Sequence, residues 1–186
     1  MNEQHLVLCS SFEWGEYLRD QLLPWALDGI DLGDDVIEVG PGPGLTTDIL
    51  RQRVRNLTAV EADPQLAAAL ADRLRGLVTV QHADATDLPF AAATFTAGAC
   101  FTMLHHVPSI QMQDRLLAEL ARVVVPDGVL VGVDSMDSEA FQALHAGDTC
   151  VPVDPVGLTG RLISAGWAEP RVTTDVHRMR FIARRA

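Results

Sequence analysis

Short apolar runs alternate with amphipathic stretches along most of this chain. From residue 34 onward the apolar runs fall at about 36–39, 56–60, 78–82, 95–101 and 129–134, and segments of helical period lie between them. That alternation predicts βαβ units and a parallel sheet. In LTTDILRQRV the apolar positions Leu45, Ile49, Leu50 and Val54 mark one helix face. Pro64 opens a second helix, PQLAAALADRLRG, with Leu66, Ala69, Leu70, Arg73 and Leu74 at helical spacing and Gly76 at its end. The longest helix is expected from about Ile110 to Val124, turning Leu116, Leu117, Leu120 and Val124 to the sheet until Pro126-Asp127-Gly128 stops it. A helix at about Val156–Ala165 precedes Gly166-Trp167 and two runs, RVTTDV and HRMRFIARR, that read as a closing hairpin at the sheet edge.

Residues 11–28, SSFEWGEYLRDQLLPWAL, form an amphipathic helical segment interrupted near Pro24, suited to a lid or a packing helix. The stretch 136–153 has mixed character and carries no recognisable motif. No repeat or interdomain linker breaks the pattern. The expectation is a single domain over 1–186: an N-terminal helical segment at 1–33, a cofactor-binding core at 34–135, and a substrate-side insertion, helix and hairpin at 136–186.

Composition narrows the chemistry. All 14 of the Lys+Arg residues are arginine. Without lysine there is no P-loop lysine, no Schiff-base lysine and no Tyr-x-x-x-Lys pair. A formal net charge of −11 with no dense basic block predicts no nucleic-acid partner, because a phosphate backbone would be repelled. Cys9, Cys100 and Cys150 are odd in number and far apart, which favours reduced thiols. No apolar stretch reaches the roughly 20 residues of a membrane span, and MNEQHLVLCSSFEW does not read as a signal peptide. A cytoplasmic location is expected, as monomer or homodimer.

The candidate chemistry gathers at the strand ends, where an open parallel sheet binds its ligands. The first strand runs into VIEVGPGPGL, three glycines interleaved with two prolines. A dinucleotide fingerprint, G-x-G-x-x-G, would offer amide donors to a pyrophosphate and a final glycine for helix packing. Here that final position is Leu45, and Pro41 and Pro43 have no N–H. A loop that offers mainly carbonyls, ringed by acids, suits a cation. S-adenosylmethionine fits, with its ammonium, sulfonium and neutral adenosine. Glu61, ending the second strand, would accept both ribose hydroxyls, and Asp84 with Ala85 in QHADAT would meet the adenine.

With these residues in place, the chain resembles the class I S-adenosylmethionine-dependent methyltransferases, especially the small-molecule type with VLEVGPGPG, HADA and LHH patterns. The resemblance covers roughly residues 34–135. It implies a Rossmann-like three-layer α/β sandwich, whose seven-stranded, mostly parallel sheet has an antiparallel last strand. It also implies S-adenosyl-L-methionine as cofactor and a small-molecule oxygen, nitrogen or carbon nucleophile as acceptor. Carried over residue by residue, it assigns Glu38, Gly40, Gly42 and Gly44 to the methionyl part of the cofactor, Glu61 to the ribose, and Ala62, Asp84 and Ala85 to the adenine. Phe101 falls beside the sulfonium end. Thr96 departs from the aspartate that such enzymes often carry there, at the strand end away from the cofactor.

His105 and His106 follow the fourth strand and are the candidate catalytic bases; the competing reading has them capping or packing under a loop. Trp14 and Tyr17 are candidates for the cofactor entrance. Asp134 and Asp137 form no set with metal-ligand spacing, and no metal is expected. The terminal arginines Arg178, Arg180, Arg184 and Arg185 read as a solvated stripe. Two other functions compete on this fold: an NAD(P)-dependent oxidoreductase, disfavoured by Leu45, the loop prolines and the missing lysine, and a non-catalytic cofactor-binding protein.

Overall fold

The structure is a computed structural model that describes residues 2–186. Its N-terminal segment folds as α1 (Glu3–Cys9), α2 (Phe12–Tyr17), a π-helical turn at Leu18–Leu22 and α3 (Leu23–Ala26). The alternating part follows, with β1 (Asp35–Val39), α4 (Leu45–Leu50), β2 (Asn56–Glu61), α5 (Pro64–Arg73), β3 (Thr79–His82) and β4 (Phe95–Phe101). After a 3₁₀ turn at Leu104–His106 come α6 (Ile110–Val123), β5 (Val124–Ser135), α7 (Glu139–Leu144), α8 (Pro155–Ser164), β6 (Trp167–Thr174) and β7 (Arg178–Arg185).

The strands form one seven-stranded sheet in the order β3-β2-β1-β4-β5-β7-β6. The first five are mutually parallel, and β7 runs antiparallel to both neighbours. The order reverses between β1 and β4, which places a crevice outside their carboxyl ends.

Alternation along β1 assigns the two faces. Ile37 and Val39 pack with Leu116, Leu117 and Leu120 of α6 and with Leu158 and Leu162 of α8. Val36 turns the other way, toward Leu18, Leu22 and Leu23. These three leucines are almost wholly buried, at 0–2% exposure. The N-terminal segment is therefore a core layer from Leu18 onward rather than a mobile cover. Side-chain caps set the long helices: Asp63 accepts from the Gln65 and Leu66 amides at the start of α5, and Ser109 from Met112 at the start of α6.

Four details differ from the sequence expectation. The first crossover helix stops at Leu50, with residues 51–53 in turns. Pro126-Asp127-Gly128 forms a bulge inside β5, where pairing jumps from Phe95↔Val124 to Ala97↔Val129 and Asp127 takes φ 62°. The closing hairpin is inserted edgewise: β7 pairs with β5, so of the two hairpin strands β6 alone lies at a sheet edge. The arginine stripe is partly engaged, since Arg178 lies 4.3 Å over the Trp25 ring and donates to Tyr17 Oη at 2.8 Å, while Arg180 donates to the Asp28 carbonyl. Thr96 has a local structural task, its hydroxyl reaching the carbonyls of Leu32 at 2.7 Å and Asp35 at 2.9 Å. Among the described residues no helix is long and apolar enough to cross a membrane, and all three cysteines are free.

Candidate functional site

The glycine-rich loop leaves β1 and keeps its donors to itself. Gly40 N–H donates to the Val60 carbonyl at 2.8 Å, Gly42 N–H to Glu61 Oε2 at 2.9 Å, and Gly44 N–H to the Pro41 carbonyl at 3.0 Å. With Pro41 and Pro43 lacking an N–H, every amide from 40 to 44 is spent within the protein or missing. A pyrophosphate would find no backbone donor on this stretch. The backbone itself demands glycine at Gly44, where φ is +87° and a Cβ would run into Leu70 and Arg73 of α5.

Beneath the loop, Glu38 is 1% exposed, and its two oxygens accept from the hydroxyls of Thr46 at 2.5 Å and Thr47 at 2.6 Å. Burial pushes its carboxyl up to about 7 against these favourable hydrogen bonds. It braces β1 against α4 and does not line the cleft.

The cleft has a volume of about 390 Å³ and opens at the carboxyl ends of the central strands. Gly40, Gly42, Glu61, Ala62, Asp84 and Ala85, all singled out from the sequence, line it together. Glu61 is 7% exposed and also accepts from the Asp63 amide through Oε1 at 2.9 Å, so its carboxylate is held in place at the β2 end. Asp84 Oδ1 accepts from the Thr86 amide at 2.8 Å, fixing the turn after β3. Leu66, Met112 and Leu116 give the cleft an apolar wall. Carboxylates at two strand ends, apolar surface between them and an amide-free loop fit S-adenosylmethionine and fit a dinucleotide poorly. Phe101 and Trp14 line a smaller recess that adjoins the cleft and shares Gly40, Gly42, Met103 and His106 with it, and Gly44 lines neither space.

The two candidate bases have different fates. His105 is 2% exposed; its Nδ1 lies 2.6 Å from Asp134 Oδ1 and its Nε2 lies 3.1 Å from Nε2 of His145. It is walled off from the cleft. His106 does line the cleft, with Nδ1 donating to the Thr149 carbonyl at 3.2 Å. Burial and then the neighbouring histidines push it down to about 3. A nitrogen that weakly basic accepts a proton poorly near pH 7, and His105 is shut away from the cleft, so neither histidine is poised as a general base.

Sequence reasoning missed His5, His145 and the polar lip of the cleft. Asp148 and Thr149 line the cleft from the 136–153 stretch, and α1 is fastened to that stretch by one residue. The Asn2 amide N–H donates to Asp148 Oδ2 at 2.8 Å and its side chain to the Leu144 carbonyl at 2.9 Å, while Asn2 Oδ1 caps α1 at His5. No local period announces such a long-range pairing.

Comparison with known proteins agrees with this geometry. Residues 37–132 match the family described as Methyltransferase domain. Ribosomal RNA small subunit methyltransferase A of Leptothrix cholodnii is 37% identical over 76 residues, 41% of this chain and 28% of the relative. The same enzyme of Serratia proteamaculans is 33% identical over 78 residues, 41% and 29% of the two chains. This chain thus spans under a third of the length of those relatives. In structure, a Haloferax volcanii methyltransferase solved with the Trm112 methyltransferase activator superposes with TM-score 0.78 at 14% identity, over 99% of this chain and 98% of that one. Haemonchus contortus phosphoethanolamine N-methyltransferase 2, solved with S-adenosyl-L-methionine, gives 0.77 at 11% identity, over 100% and 60%.

These relatives overturn the exclusion of nucleic acid drawn from net charge. Net charge averages over the whole surface, whereas an acceptor meets only the local field at the cleft mouth; relatives named for ribosomal RNA remove the ground for excluding RNA. The restriction to small-molecule acceptors falls with it. The family reading stands: this chain belongs to the methyltransferase-domain family.

Proposed function

We propose that Glu61 holds the ribose of S-adenosylmethionine, that Asp84, Ala85 and Ala62 enclose its adenine, and that the carbonyl-rich face of Gly40–Gly42 receives its methionyl end. The acceptor, an oxygen, nitrogen or carbon nucleophile, enters past Met103, His106 and Thr149. The observation that carries this reading is the exhaustion of the loop amides, combined with a fixed carboxylate at the β2 end. When bound, the cofactor supplies a methyl group made electrophilic by its sulfonium. The residues of this chain orient the acceptor and keep water out. With His105 buried behind Asp134 and His106 pushed down to about 3, positioning and desolvation carry the rate, rather than proton abstraction.

The relatives bring ribosomal RNA into the set of acceptors, and neighbours such as the geranyl diphosphate methyltransferase, at TM-score 0.73 and 17% identity over 94% of this chain and 78% of that one, bring small molecules. Incubation with methyl-labelled S-adenosylmethionine, with ribosomal RNA and a metabolite extract offered separately, distinguishes them. Label transfer to either, abolished in Glu61→Ala, supports the site. Label transfer that persists undiminished in Glu61→Ala overturns it.

A further inference from the structure

Four imidazoles meet beyond the carboxyl ends of β4 and β5. The His5 ring centroid lies 4.4 Å from that of His145, 5.0 Å from His106 and 6.5 Å from His105. Their outer nitrogens are committed. His106 Nδ1 faces the Thr149 carbonyl at 3.2 Å, and His145 Nδ1 faces the Phe141 carbonyl at 2.7 Å. A nitrogen that faces a carbonyl carries the proton, so each of these rings keeps its lone pair on Nε2.

Two of the inner nitrogens have no such partners. His5 Nδ1 and His106 Nε2 are buried without a hydrogen bond, and His5 as a whole is only 6% exposed. His145 Nε2 points at His105 Nε2 across 3.1 Å, although the Nδ1 of His105 is already taken by Asp134. Packing alone does not account for this arrangement, since buried polar nitrogens are almost always paired. A cation among the lone pairs does. One ligand nitrogen from each of His5, His106 and His145 lies within 4.8 Å of the others.

We propose that His5, His106 and His145 bind a divalent transition-metal ion of the zinc class at the wall of the cofactor cleft. An all-imidazole set suits zinc, copper, nickel or iron and disfavours magnesium and calcium, which want oxygen. The outer N–H groups of His106 and His145 are donated to backbone carbonyls, the support that metal-bound histidines require. Tetrahedral bonds of about 2.0–2.1 Å set the nitrogens about 3.4 Å apart, so the rings draw in slightly on binding. Three protein ligands leave a fourth position, the pattern of reactive rather than structural zinc. Because His106 also lines the cleft, the ion stands within reach of the acceptor side.

The full chain, stripped with a chelator and titrated with zinc or cobalt(II), is expected to take up one ion, with cobalt showing the intense visible absorption of a four-coordinate site. His5→Ala and His145→Ala should each weaken zinc binding at least tenfold. His177→Ala, in the exposed β6–β7 turn, should leave it unchanged. X-ray absorption on the zinc-loaded wild type needs no variant and should count three imidazoles. Absence of saturable uptake, a shell without three imidazoles, or equal weakening by His177→Ala overturns the proposal. S-adenosylhomocysteine affinity, measured on the same stripped sample, tests the cofactor site separately.

Discussion

The backbone N–H of Gly42 donates to Oε2 of Glu61 across 2.9 Å. One carboxylate thus closes the glycine-rich loop and lines the cleft. Glu61→Ala should lower S-adenosylhomocysteine affinity at least tenfold by calorimetry. It should also cost about 1–3 kcal/mol of stability, because the Gly42 and Asp63 amides lose their acceptor. Glu61→Gln, which keeps one acceptor oxygen, should fall between.

Glu38 makes stability depend on pH in the direction opposite to a salt-bridged acid. Its folded value of about 7 lies above the ordinary 4.5. Between these pH values the unfolded chain has released a proton that the folded chain retains. Stability is therefore greatest from this group below about 4.5 and is lost as pH rises to about 7, by on the order of 3 kcal/mol. Denaturant titrations across that window should show the slope, and Glu38→Gln should flatten it.

Gly44→Ala tests the loop backbone. An alanine at φ +87° carries a left-handed penalty of about 1–2 kcal/mol, and its methyl must displace Leu70 and the Arg73 guanidinium. Thermal denaturation should show the loss. Cofactor affinity should fall as well, since Gly42 moves with the turn.

Trp167 ties the first residue of β6 to α6. It is 1% exposed, and its indole N–H donates to the Leu117 carbonyl at 2.9 Å. Trp167→Ala should destabilise by about 3–5 kcal/mol. Trp167→Phe should lose less, mainly the hydrogen bond, about 0.5–1.5 kcal/mol. Equal losses in chemical denaturation would show that the bond, and not the packing of the ring, carries the stabilisation.

The sheet core and the cofactor cleft were legible because both are written locally. Strand periods, the proline-punctuated loop and the acids at 61 and 84 each occupy a few adjacent positions, and five-stranded βαβ logic brings them to one edge. Glu38 was misplaced in the cleft because only three dimensions show Thr46 and Thr47 taking both its oxygens. Phe101 falls in the recess beside the cleft, with Trp14 and Leu18, an approach that no local pattern announces. The histidine cluster was illegible. His5 and His145 come from segments without a strong apolar period, and long-range bonds such as those of Asn2 to Leu144 and Asp148 bring them beside His106.

The insertion of β7 between β5 and β6 has a consequence for the order of assembly. β6 emerges first in translation, yet the only strand it can join is the one made after it. Until Arg178–Arg185 are threaded into the gap, Trp167–Thr174 has no neighbour in the growing sheet, so a chain that stops short of β7 releases two strands rather than one.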